Sequence, residues 1–501
     1  MKKDIMKKRG HKIIYFFGIF IIGLTTILTI ISLQETQIYQ QQAAGEGYWH
    51  TSGSQIVDSN NQPVRITGVN WFGLETESYA PHGLWSRGYK EMMDQIAANG
   101  YNTIRLPYST QLFDAGSTPN GIDYAKNRDL EGLSGAEIMD KIVAYAGTKG
   151  IRIILDRHRP SSVEQSPLWY TSTYSETRWI DDWKTLALRY KNNPTVIGAD
   201  LHNEPHAEAC WGCGNNATDW KAAAQRAGNE ILRINPGWLI FVEGIECESG
   251  SCYWWGGNLM GVKANPIQLD VPNKLVYSTH AYPPSLYAQE WFSDATYPEN
   301  LPNVWDKYWG YIHKEGIAPV LVGEFGSKLE TEADKQWMSK ITQYMGTDVS
   351  GLNWTYWSWN PNSGDTGGIL KDDWLTIDQT KQQYLKPIQF QLTNNPVQPT
   401  TAQPTSVEPT NYCIGSCPTT PPTTEPTASE PTQQPPTIAP TTTEPTQEVP
   451  TVEPTNVGIS TAPPPTNPNP QPNPNQNWLQ QFIQQLLEFL RQLFGGFWGR
   501  N

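Results

Sequence analysis

Eight short apolar runs recur through the middle of this chain, and helix-spaced segments separate most of them. The runs cover residues 64–73, 102–108, 152–159, 196–205, 238–244, 274–282, 319–326 and 353–360. Between them, residues 89–99, 136–148, 175–190, 219–234 and 333–344 carry apolar side chains every three or four positions, the period of a helix that buries one face. The fifth and sixth intervening segments lack that period, and Trp254-Trp255-Gly256-Gly257 reads as part of a long loop. Strand–helix alternation repeated eight times in about 340 residues predicts a (β/α)8 TIM barrel, an α/β fold. An open doubly wound sheet is the alternative. It would place a glycine-rich phosphate turn after its first strand, where this chain has Asn70-Trp71-Phe72-Gly73.

The runs begin apolar, and seven of the eight end on a chemically useful side chain: Arg105, His158, Asn203 with Glu204, Glu243, His280 with Tyr282, Glu324, and Trp357. In a barrel the C-terminal strand ends gather at one face, where active sites lie. One such residue is compatible with a structural role; seven are not explained by stability alone. A metal site would want closely spaced histidines at a strand end, and a serine nucleophile a Gly-x-Ser-x-Gly elbow. Neither pattern is present, so neither metal nor cofactor is expected. Carboxylates with aromatic neighbours suit glycoside hydrolysis. Glu204, Glu243 and Glu324 compete for the two roles. A retaining mechanism needs two carboxyls about 5–5.5 Å apart across the scissile bond. Glu204 and Glu243 sit on neighbouring strands, whereas Glu204 and Glu324 approach the mouth from different sides. The spacing leans to the latter pair and leaves Glu243 a supporting role.

The ends of the chain differ from its middle. Residues 1–44 hold a basic start and an apolar run at 13–32. That is an export signal, read as an uncleaved membrane anchor somewhat in preference to a cleaved signal peptide. Residues 45–392 form the expected catalytic body. Residues 393–477 are a Pro/Thr-rich linker, and 478–501 have the apolar spacing of an amphipathic helix. With no globular neighbour in sequence, that helix would bury its face on lipid, on a second copy or on another protein. The net charge of −13 argues against a nucleic-acid partner. The six cysteines fall into local pairs, Cys210 with Cys213, Cys247 with Cys252 and Cys413 with Cys417. Short loops closed in this way are expected to be structural disulfides of an oxidising compartment rather than redox or zinc motifs.

Leu201-His202-Asn203-Glu204-Pro205-His206 together with Val322-Gly323-Glu324-Phe325-Gly326 resembles glycoside hydrolase family 5. The likeness extends to Ile104-Arg105-Leu106-Pro107, Asp156-Arg157-His158-Arg159-Pro160, Ser278-Thr279-His280-Ala281-Tyr282 and Trp357-Ser358-Trp359-Asn360, in family order over about residues 47–390. Tyr48-Trp49-His50-Thr51, Cys210-Trp211-Gly212-Cys213-Gly214 and Gly364-Asp365-Thr366-Gly367-Gly368 are most similar to the family's bacterial endo-β-1,4-glucanases. The resemblance implies Glu204 as acid/base, Glu324 as nucleophile and a β-glucan as substrate. Arg105 would hold Glu324 ionised, Tyr282 would donate to it, and the Glu324 anion would raise the pKa of Glu204. Asn203 would bond the sugar 2-hydroxyl, His158 and His280 would orient substrate and carboxylates, and Trp357 would floor the cleavage point. Trp71, Trp85, Trp255 and Tyr287 are candidate sugar platforms. Other activities on the same barrel stay open: β-mannanase, xyloglucanase, attack on a cellulose-like polysaccharide backbone, transglycosylation, or carbohydrate binding without turnover.

Overall fold

The computed structural model describes residues 45–390. The segments assigned to anchor, linker and terminal helix, and the pair Cys413 and Cys417, lie outside them. Eight parallel strands close into a barrel. They are β1 (Thr67–Asn70), β2 (Thr103–Ser109), β3 (Arg152–Arg159), β4 (Val196–Asp200), β5 (Leu239–Glu243), β6 (Leu275–Ala281), β7 (Val320–Phe325) and β8 (Asn353–Tyr356). Each pairs with the next, and β8 closes on β1.

Helices α1 (Tyr89–Ala98), α2 (Gly135–Thr148), α3 (Glu176–Arg189), α4 (Trp220–Ile234), α5 (Glu332–Met345) and α6 (Gln379–Leu385) match the helix-spaced segments or follow the last strand. Their starts are written in the sequence. Ser134 and Glu137 form a capping box on α2, and Ser175, Asp219 and Thr331 cap α3, α4 and α5 through side-chain oxygens. The two segments without helical period behave accordingly. Between β5 and β6 the described chain has only a 3-10 turn, Met260–Val262, and a hairpin closed by the Cys247–Cys252 disulfide. Between β6 and β7 the helix runs over 301–314 in short pieces with a π-turn inside.

Apolar side chains pack in two layers. One lies between the strands and the helices. The other fills the barrel with Ile66, Ile154, Ile197, Leu239, Phe241, Val276 and Leu321, joined by Trp49, Ile56 and Val64. The last three come from the segment that forms a small sheet, His50–Ser52, Gln55–Val57 and Pro63–Val64, so this sheet plugs the N-terminal end of the barrel. The C-terminal mouth stays open for chemistry. Among the described residues no helix is long and apolar enough to cross a membrane.

Several strands stop before their apolar runs do. β4 ends at Asp200, where the run reached 205, and β8 ends at Tyr356, where the run reached 360. The chain leaves the ladder to aim the residues that follow into the mouth.

Arg65, just before β1, ties the plugged end together. It is buried and donates to Met345 O at 3.0 Å, Gly346 O at 2.9 Å, Asp348 O at 3.0 Å and Leu352 O at 2.8 Å, gathering the carbonyls at the end of α5. Arg65→Met removes the buried donor these carbonyls share, with Met345 O and Asp348 O keeping only the N–H groups of Leu352 and Gly351, and is expected to cost about 3 kcal/mol in denaturant unfolding. Turnover below the unfolding range should be unchanged, because the mouth lies at the other end of the barrel.

Candidate active site

Arg105 stands at the centre of the mouth with no exposed side-chain surface. Its Nε donates to Asp200 Oδ2 at 2.8 Å. Nη1 donates to Glu324 Oε1 at 2.7 Å and to Asn70 Oδ1 at 3.1 Å, and lies 3.1 Å from Asp156 Oδ2. Nη2 donates to Glu243 Oε1 at 3.0 Å and to Asn203 Oδ1 at 2.9 Å. One guanidinium thus gathers four carboxylates from four strands. Burial pushes the affinities of Asp156, Asp200 and Glu243 for a proton upward, and the positive charges of Arg105 and His280 oppose the rise.

Glu204 and Glu324 face each other beside this cluster. One oxygen of Glu204, one of Glu324 and one ring nitrogen of His280 all lie within 4.8 Å of one another. Tyr282 donates its hydroxyl to Glu324 Oε2 at 2.6 Å. His280 Nδ1 is 2.9 Å from Glu204 Oε1, and its Nε2 is 3.3 Å from Glu243 Oε1. Burial lowers the proton affinity of His280, but the Glu243 and Glu324 charges outweigh it and hold the imidazole well above its ordinary value.

Glu204 sits just past β4 in left-handed backbone, φ +54°. Two contacts hold it there. Its N–H donates to Glu243 Oε2 at 2.7 Å, and Gly256 packs against it. A Cβ at Gly256, itself at φ +65°, would lie 2.2 Å from Glu243 Oε2 and 3.0 Å from Glu204 Cα. The long β5–β6 loop therefore passes close enough to clamp the carboxylate only because it carries glycine there.

The free site does not match the sequence expectation for Glu204. Burial pushes its carboxyl up, but the hydrogen bond and charge of His280 and the amide of Gln165 bring it below its ordinary value. The expected influence, the Glu324 anion, is outweighed by donors that lie closer. Gln165 Nε2 donates to Glu204 Oε2 at 2.8 Å.

The remaining expected site residues divide into two groups. His158, buried and stacked 5.3 Å from Trp357, gives Nδ1 to Asp156 at 2.7 Å, and burial lowers its pKa to about 3. It is a neutral imidazole at the floor of the cleft. Trp357, half-buried, also stacks on Phe72. Trp255, Tyr287 and Trp85 keep 44%, 66% and 42% of their surface exposed, as sugar platforms require. Trp255 stacks on His206 at 3.8 Å and lines the cleft with Tyr287, Trp254, Gln165 and Asp365. Trp71 is a correction: it is fully buried, donates to His82 O at 3.1 Å and belongs to the layer between barrel and helices. Alternation along the chain turns it outward while Asn70 points inward. Cys210–Cys213 and Cys247–Cys252 are disulfides. Sequence reasoning missed Asn70, Asp156, Asp200 and Gln165. Asp156 interrupts its apolar run two positions before His158, a signal that was available; Asp200 closes β4 out of parity with Asn203, and Gln165 lies in a loop, so neither gave one.

A family model described as Cellulase (glycosyl hydrolase family 5) matches residues 57–363. The chain belongs to glycoside hydrolase family 5. An endoglucanase of Paenibacillus polymyxa is 54% identical over 385 residues, covering 76% of this chain and 95% of that protein. The major extracellular endoglucanase of Xanthomonas campestris pv. campestris is 41% identical over 353 residues, covering 69% of this chain and 72% of that protein. A solved structure of a Pyrococcus horikoshii endocellulase variant with cellotetraose is 43% identical, covers 68% of this chain and 98% of that one, and superposes with a TM-score of 0.64. The eight strand ends of this family 5 barrel therefore form the mouth of a glycoside hydrolase.

The contrast between the two tryptophans is testable. Trp71→Ala should cost about 3–5 kcal/mol of stability through the cavity it leaves. Trp85→Ala should keep stability within about 1 kcal/mol and raise KM on a soluble glucan several-fold.

Proposed function

We propose that this chain is an endo-acting β-1,4-glucanase that hydrolyses its substrate by double displacement with retention at the anomeric carbon. The observation that carries the reading is the approach of Glu204 and Glu324 within 4.8 Å, the short separation of a retaining pair rather than the ~6.5–9.5 Å of an inverting one. The names of the relatives agree with it: endoglucanases of Paenibacillus polymyxa and Xanthomonas campestris, and an endocellulase from Pyrococcus horikoshii solved with cellotetraose.

Glu324 is the nucleophile. Arg105 and Tyr282 each donate to one of its oxygens, which fixes its aim. Glu204 is the acid/base. Seating sugar rings over Trp357 excludes water and leaves Glu324 less screened, and both changes raise the proton affinity of Glu204. In the first step Glu324 bonds to the anomeric carbon while Glu204 gives its proton to the departing glycosidic oxygen. In the second, Glu204 takes a proton from water, the water oxygen bonds to the same carbon, and the bond to Glu324 breaks. Asn203 Oδ1 accepts from Arg105, and its Nδ2 has no protein partner among the described residues, which leaves that amide for the sugar 2-hydroxyl. We place the barrel outside the cell. The basic start with its apolar run at 13–32 and the disulfides in short loops support this. Whether that run tethers the protein or is removed, the barrel is exported.

Glu324→Ala should lose activity on carboxymethylcellulose by roughly 10⁴-fold or more. With azide added, the variant should convert an activated aryl β-cellobioside into the α-glycosyl azide. A wild-type rate on mannan above that on carboxymethylcellulose would move the substrate assignment. Formation of the β-azide by this variant would exchange the roles of the two glutamates.

A further inference from the structure

Glu204 must serve in opposite protonation states, as an acid in the first step and a base in the second. Both of its oxygens already face donors in the free site. Oε1 receives His280 Nδ1 at 2.9 Å, and Oε2 receives Gln165 Nε2 at 2.8 Å. The imidazole sits on the rigid end of β6 and is fully buried. Gln165 comes from the loop after β3, is partly exposed, and lines the cleft. Of the two, only the Gln165 donor stands where a sugar arriving in the cleft competes for the same oxygen.

The loop is held in place on either side of Gln165. Ser162 N donates to Gln111 Oε1 at 2.8 Å, and Tyr79 donates to Ser162 Oγ at 3.2 Å. On the far side Pro167 O accepts His206 N at 3.3 Å, two residues beyond Glu204, and Trp169 is buried against Trp179 and Trp220. The amide is thus presented to Glu204 by a tethered loop. An amide N–H bonded to a carboxyl oxygen favours the ionised form.

We propose that Gln165 is a positioning residue for the second half-reaction: it yields Oε2 to the glycosidic oxygen in the first step and, once the leaving sugar has gone, returns to hold Glu204 ionised as the base for water. This rests on Glu204 being the acid/base. The other charged or titratable groups around Glu204 are His158 and Asp156 from β3, Glu243 from β5, His280 and Tyr282 from β6, Glu324 from β7, and Arg159 at the cleft wall. In the glycosyl-enzyme the charge of Glu324 is consumed in the ester, so the Gln165 amide becomes a larger share of what sets the ionisation of Glu204.

The test isolates the second step in the full chain. A 2-deoxy-2-fluoro-β-cellobioside with a dinitrophenolate leaving group forms the glycosyl-enzyme without needing the acid. Reactivation of the trapped enzyme in buffer is then followed against pH. Gln165→Met keeps the side-chain length and removes the donor. Without the donor the pKa of Glu204 rises, a smaller fraction is ionised at a given pH, and the acidic limb of reactivation should move up by about one pH unit. The rate of inactivation, which reports the first step, should stay within about twofold. An unmoved acidic limb overturns the proposal, as does an equal loss in inactivation and reactivation. Glu204→Ala is run in parallel: reactivation that azide restores, as the β-glycosyl azide, upholds Glu204 as acid/base, so a negative result with Gln165→Met would count against Gln165 alone. Failure of azide rescue would instead remove the reading on which the proposal rests.

Discussion

A single buried cation organises the mouth of this barrel. Arg105 reaches Asp156, Asp200, Glu243 and Glu324 and both Asn70 and Asn203, with no side-chain surface left to solvent. Burying one guanidinium costs several kcal/mol and is sustained only where every donor is matched. Here the match is possible because parallel strands in register bring their C-terminal ends together. Asn70 and Arg105 are register partners on β1 and β2, and His280 is the partner of Glu324 across β6 and β7. Lysine has no planar fork and could not satisfy acceptors on so many sides.

The two facing carboxylates hang from this centre in different ways. Glu324 is bonded to Arg105 directly. Glu204 is held one step removed, through Glu243, which accepts from both Arg105 and the Glu204 backbone N–H. That second link carries Glu204 into left-handed backbone and requires a glycine at 256. Strain of this kind persists only where the surroundings over-determine it. The result is one carboxylate bonded straight to the buried cation and another poised between His280 and Gln165.

Much of this was legible in the order of residues. The alternation of periods gave the barrel, and the polar side chains closing the apolar runs gave Arg105, His158, Asn203, Glu204, His280, Tyr282, Glu324 and Trp357, all of which the fold gathers at one mouth. A strand end is a local feature, so sequence reports it well. Trp71 was misread because its neighbour Asn70 takes the inward position and alternation turns the indole to the helix layer. The ionisation of Glu204 was also not legible, since it depends on the contact of His280 and then on Gln165, thirty-nine residues away in a loop. Contacts between a loop and a strand end carry no periodic signal. The missing helix between β5 and β6 was visible as a missing period, but not what replaces it, a disulfide-closed hairpin and a glycine pressed on the Glu243 carboxylate and the Glu204 backbone.

The central claim is that Arg105 and its partners hold two carboxylates at the separation of a retaining pair. The anomeric configuration of the first product reports that separation directly. Proton NMR of a cello-oligosaccharide, followed from the moment of mixing with enzyme, should show the β-anomeric signal of the new reducing end growing first and the α signal appearing only at the rate of mutarotation. An α signal that leads would mean that water, not Glu324, attacks the anomeric carbon, and would contradict the account.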